Sequence, residues 1–183
     1  MLKTTEALSS DGAINVAKML LTKEEALAAV RQCGCMLEYV LEELKTAELC
    51  LTAVMHEGWA LEYVPEELRT VELCTEAIRQ DGSALEFVPE ELKTAEFCLE
   101  AVRKNGWALE HVPEKLKTAE LCLVAVSERG QALEHVPEKL KTAELCTKAV
   151  NQNGWALEHV PNWLKLKVAT EAKMMDTEGD RLN

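Results

Sequence analysis

The chain has few of the residues that interrupt regular structure and few aromatic ones. Among 183 residues there are eight Gly, five Pro, two Phe and two Tyr. The apolar residues are mostly Leu, Ala and Val, a composition that suits helices. Basic charge is also scarce. The formal net charge is −12, which argues against direct nucleic-acid binding, because phosphate recognition needs Lys and Arg to displace counterions. No run of 18 apolar residues occurs, and the opening segment MLKTTEALSSDGAINVAKMLL has no continuous apolar core or cleavage pattern. The expectation is a cytoplasmic protein with no Sec-type signal and no membrane span.

What is abundant is repetition. GWALEYVP at 58–65 returns as GSALEFVP at 82–89, GWALEHVP at 106–113, GQALEHVP at 130–137 and GWALEHVP at 154–161. The interval is always 24 residues, so six units tile 22–45, 46–69, 70–93, 94–117, 118–141 and 142–165. Numbered within the unit, position 1 is always Thr, an N-cap whose hydroxyl accepts an orphan backbone N–H. Position 3 is always Glu, favoured by the helix dipole, and Glu25 completes a capping box in the first unit. Positions 4, 5, 8 and 9 are mostly apolar and form one helical face, as in Leu121, Cys122, Ala125 and Val126.

Position 13 is always Gly, from Gly34 to Gly154, where a left-handed C′ residue is expected to end the helix. A second, shorter helix follows, its face marked by Leu109, Val112 and Leu116 in the fourth unit. Pro at position 20 cuts it short. The first unit has Leu41 there, so its second helix is expected to run on.

Such a hairpin is too short to be stable alone and buries its apolar face only against copies of itself. The expected fold is therefore all-α: an α-solenoid of six 24-residue helix–turn–helix repeats with half-repeat caps. Residues 1–21, with Val16 and Leu20, form the N-terminal half-repeat. Residues 166–183 form a closing helix and a polar, frayed tail from Asp176.

The segment VRKNGWALEHVPEKLKTAELCLVAVSERGQALEHVPEKLK (102–141) resembles the helical repeats known as domain of unknown function 4116. Their core reads A-V-x-x-x-G-x-A-L-x-aromatic, twice per copy. The resemblance covers 22–165 and implies an all-α repeat protein, with no activity attached. Pro at position 20 and Cys at position 5 depart from the family pattern.

Seven Cys are present. Cys50, Cys74, Cys98, Cys122 and Cys146 share position 5. Equivalent sites on stacked helices lie about 8–10 Å apart, beyond the roughly 4.4–6.8 Å that a disulfide spans. These five are expected to be small buried hydrophobes in a reducing compartment. Cys33 and Cys35 flank Gly34 and are the exception, open to exposure and reactivity. Without a second Cys pair they do not complete a zinc site.

Position 18 carries Tyr39, Tyr63 and Phe87, then His111, His135 and His159. The spacing between units argues against one metal ion bridging these histidines. Trp59, Trp107 and Trp155 occupy position 14 in alternate units. Two readings stand for them: packing back on the helix that precedes them, or an exposed binding stripe. Position 17 is Glu throughout, including Glu62, Glu86 and Glu110. A ladder of carboxylates reads as a solvated acidic face rather than one catalytic cleft. Units one to three hold 16 acidic and 6 basic residues, whereas units four to six hold 10 and 9.

These features point to a non-catalytic interaction module or scaffold that meets a protein partner with a basic surface through positions 14, 17, 18 and 21. The alternative is an acidic inhibitor or secreted effector that blocks a basic site. No catalytic residues, metal or cofactor are expected, since no Ser/His/Asp set, phosphate loop, HExxH or paired CxxC motif occurs.

Overall fold

The computed structural model describes residues 22–179, with side chains through Ala172. The expected half-repeat at 1–21, including Val16 and Leu20, lies outside the described residues. So do residues 180–183 of the tail.

Each unit opens with a ten-residue α-helix: α1 Lys23–Gln32, α2 Ala47–His56, α3 Val71–Gln80, α4 Ala95–Lys104, α5 Ala119–Glu128 and α6 Ala143–Gln152. In all six the Thr hydroxyl accepts the N–H of position 4, and the Thr22–Glu25 capping box is complete. The second helix of each unit is a six-residue 3-10 helix: Gly34–Tyr39, Gly58–Tyr63, Gly82–Phe87, Gly106–His111, Gly130–His135 and Gly154–His159. Its sequence explains the tighter winding. In units two to five positions 13, 16 and 19 are all buried, as in Gly58, Leu61 and Val64. A period of three residues aligns them on one face of a 3-10 helix.

A three-residue 3-10 turn then leads into the next Thr, as in Glu66–Leu68. It is present in the first unit too, at Glu42–Leu44. The expectation of an unbroken helix there is corrected. Leu41 adopts φ −63° and ψ 143°, close to the −52° and 140° of Pro65. Proline pre-sets this break, but packing imposes it equally on leucine.

The packing runs from each unit to the next. Each α-helix stacks on the following one, the six-residue 3-10 helices stack likewise, and each 3-10 helix also touches the next unit's α-helix. The result is two layers sharing one continuous core. In units two to five the core includes positions 5, 8, 9, 15 and 16, such as Cys74, Ala77, Ile78, Ala84 and Leu85. No strand occurs among the described residues, and the α-solenoid architecture follows.

The role of position 13 differs from the expectation. No glycine among the described residues has positive φ, so Gly is not a left-handed C′ cap. The residue before it, in extended conformation, ends the helix by donating its N–H to the position-8 carbonyl. Glycine is needed because the next unit comes so close. A Cβ on Gly106 would lie 2.6 Å from the carbonyl oxygen of Ala125, and Gly34, Gly58, Gly82 and Gly130 face Ala53, Ala77, Ala101 and Ala149 in the same way. Gly154 has nothing within 4 Å, so no helix carbonyl comes up to it as in the other units.

The array closes differently from its interior. After Pro161 the chain enters one long helix, α7 Asn162–Gly179. It starts four residues before the expected 166 and continues through 176–179, where a frayed tail is expected. Its Leu164 and Val168 are buried, and α7 packs on α6.

Gly106→Ala and Gly154→Ala separate close approach from backbone conformation. The first should destabilise by about 1–3 kcal/mol through overpacking. The second should be neutral or stabilising by up to about 1 kcal/mol, as Gly→Ala is in unstrained helical sites. Denaturant melts of both variants measure the difference, and equal effects would refute the contact.

Candidate functional site

The residues expected to bind lie on the outer side of the 3-10 layer. Glu62, Glu86 and Glu110 are exposed, whereas Tyr39, Tyr63, Phe87, Trp107, His111, His135 and His159 are half-buried. Trp59 and Trp155 are 38% and 70% exposed. The structure therefore brings these positions together as one ridge that crosses the unit boundaries.

The ridge is internally connected. His111 Nε2 lies 3.8 Å from Glu86 Oε2, and His135–Glu110 and His159–Glu134 repeat that distance. Each histidine thus faces the position-17 carboxylate of the preceding unit. In the first half, the Glu38 carboxylate beside Tyr39 holds its phenol above the usual range. Burial, then the charges of Glu62 and Glu38, raise Tyr63 likewise. The Trp59 and Tyr63 rings meet edge to face at 5.9 Å, and Trp107 meets His135 of the next unit at 5.8 Å. These tryptophans contact the 3-10 row. Trp155 has no neighbouring unit to cover it and stands out most.

Beneath the ridge lies a row of cations. Position 24 is basic in every unit: Lys45, Arg69, Lys93, Lys117, Lys141 and Lys165. Lys45 and Lys141 are only 8% and 7% exposed. Lys45 Nζ donates to Glu42 and to the Tyr63 carbonyl, both at 2.8 Å. Arg69 donates to Val64, Glu62 and Phe87 carbonyls, and Lys141 reaches Glu138 and the His159 carbonyl. Lys45, Arg69 and Lys141 thus tie the end of one unit to the last turn of the next unit's 3-10 helix, while Lys93 and Lys117 pair with Glu90 and Glu114 of their own turns. The invariant positive charge in an acidic chain was the available signal. The partner carbonyl, 18 residues away, was not.

The five position-5 cysteines are free and buried. Burial pushes Cys50, Cys74 and Cys122 up to about 11 and raises Cys98 and Cys146 in the same direction. The nearby position-24 cations oppose this without reversing it. Cys33 and Cys35, expected only to be exposed and reactive, form a disulfide. With Glu57 they are the one group among the described residues whose potential metal-ligating atoms lie within 4.8 Å of one another. Near the array's end, an open groove of about 870 Å³ lies between α6 and α7. Thr147 and Glu171 line it and share a 2.9 Å hydrogen bond.

The family model described as domain of unknown function (DUF4116) matches residues 22–69, 46–93, 70–117 and 118–165. The chain belongs to this family. Each match spans two units and begins at a position-1 threonine, the frame set by the helix caps. No curated protein and no solved structure matches the chain. Among the described residues, no helix is long and apolar enough to cross a membrane.

Two outcomes test this architecture. Lys141→Met keeps the aliphatic stem but leaves the part-buried His159 carbonyl without its Lys141 donor, so it should cost about 1–3 kcal/mol. Glu138→Gln, at the exposed end of the same pair, should change stability by less than about 0.5 kcal/mol. Chemical denaturation compares them.

The raised thiol pKa values also give a sign. The unfolded chain loses thiol protons near pH 9, before the folded chain does near 11. The folded state then holds more protons, so stability falls as pH rises through that window. Cys122→Ala should flatten the fall in melts recorded from pH 8 to 11.

Proposed function

We propose that this protein is a non-catalytic interaction module whose 3-10 ridge meets a protein partner with a basic surface. The observation that carries this reading is the ridge itself: exposed carboxylates alternate with partly exposed rings in fixed register across successive units. Half-buried aromatics beside polar groups suit a protein interface. Units one to three are net −10 and units four to six net −1, so a basic partner is steered toward residues 22–93. Direct nucleic-acid binding is disfavoured by the same charge. A role in the cytoplasm fits five thiols kept free.

The carboxylates form a ladder rather than converging on one reacting centre, which supports a binding role over an enzymatic one. The concentration of charge also favours a second reading, an inhibitor or effector that occupies a basic site on its target.

The test compares the native chain with a Trp59→Ala, Glu62→Lys, Glu86→Lys variant of equal thermal stability. Both are immobilised, and retained proteins are quantified by mass spectrometry at low and moderate salt. A partner with a basic surface, held by the native chain, weakened by salt and lost from the variant, is expected. Identical retention by both would overturn the reading.

A further inference from the structure

The hinge of the first unit differs chemically from every other. At positions 12 and 14, units three, four and six use a local turn: the side chains of Asp81, Asn105 and Asn153 accept the N–H of Ser83, Trp107 and Trp155. Cys33 has no such oxygen. The Cys35 N–H instead donates to Glu57 Oε2 of the second unit at 3.0 Å. The same carboxylate places its oxygens 3.5 and 3.6 Å from Cys33 Sγ. Both cysteines are half-buried, their Cα atoms are 5.2 Å apart and their sulfurs are bonded. The other five cysteines are 0% exposed.

We propose that Cys33 and Cys35 are a redox-active pair that exchanges with low-molecular-weight disulfides, with Glu57 as the residue that positions and tunes it. In the dithiol form, the Cys33 thiolate attacks a disulfide RSSR and one thiolate RS⁻ leaves. The Cys35 thiolate then attacks Cys33 Sγ in the mixed disulfide and releases the second RS⁻. Two protein thiols are oxidised to one disulfide and RSSR is reduced to two RSH, the two protons passing to the departing thiolates. The reverse sequence reduces the pair. Exchange requires thiolate and access, and among the seven cysteines access is confined to this hinge. The Glu57 carboxylate fixes the Cys35 backbone and accepts a hydrogen bond from the Cys33 thiol once the pair is reduced. Its negative charge holds back thiolate formation and so restrains the reaction. His56 Nδ1 lies 3.8 Å from Glu57 Oε1.

The test uses the full chain in buffers of graded oxidised-to-reduced glutathione, followed by acid quench, alkylation and tryptic mapping. Cleavage after Arg31 and Lys45 gives a peptide, QCGCMLEYVLEELK, that holds this pair and no other cysteine. The expected result is reversible loss of two hydrogens from that peptide, with the other five thiols alkylated only after denaturation. Glu57→Gln, which still accepts the Cys35 N–H, should speed alkylation of the reduced pair by about two- to fivefold near pH 7. It should also move the pH midpoint of that reaction downward; a merely structural glutamate would leave the midpoint in place. A pair that stays dithiol at every ratio, stays oxidised in reduced glutathione alone, or stops at a glutathione adduct overturns the proposal. So does complete protection of the reduced pair by one equivalent of zinc. An unchanged midpoint in Glu57→Gln removes Glu57 from it.

Discussion

The structure depends on one backbone contact made five times: a glycine Cα against the position-8 carbonyl of the next unit. Only hydrogen fits there. That closeness lets a six-residue 3-10 helix touch both the α-helix and the 3-10 helix that follow it. The carbonyl also accepts the N–H that ends its own helix, so helix termination and unit stacking share one atom. Alanine at position 8 is the matching requirement. A larger side chain at the same depth would force the layers apart.

A second set of interactions locks what the first brings near. Threonine begins the α-helix of each unit, and at position 24 Lys45, Arg69 and Lys141 each tie their unit to a carbonyl of the next. These bonds satisfy backbone groups that a short helix otherwise leaves without partners. The 3-10 ridge is thereby held in fixed register, which is what an extended binding surface requires. The glutamate–histidine pairs lie on that ridge, exposed carboxylates beside half-buried rings, so its surface is a repeating pattern of charge and ring.

The ends show what a missing neighbour changes. Gly154 has open space where its counterparts meet a carbonyl, and Trp155 is exposed where Trp107 packs on His135. Helix α7 covers α6 but brings no 3-10 helix with it. The first hinge departs in the other direction, where paired cysteines borrow a carboxylate from the second unit. Repetition makes these departures visible, because each is read against several copies that follow the rule.

Sequence alone determined the unit, its frame, its helix starts and its core face, because those are local and recur at fixed spacing. Thr22 with Glu25, the position-5 cysteines and the proline-marked break were all legible in this way. Tertiary structure decided the rest. A glycine before a helix break reads equally as a left-handed cap or a close contact, and only the neighbouring carbonyl distinguishes them. Leu41 adopts the proline conformation because its neighbours demand it, and Lys141 is buried because a carbonyl 18 residues away receives it. The Cys33–Cys35 pair gained its partner from Glu57 of another unit. Period and capping are properties of short segments, whereas approach, burial and pairing arise between units, where spacing along the chain carries no distance.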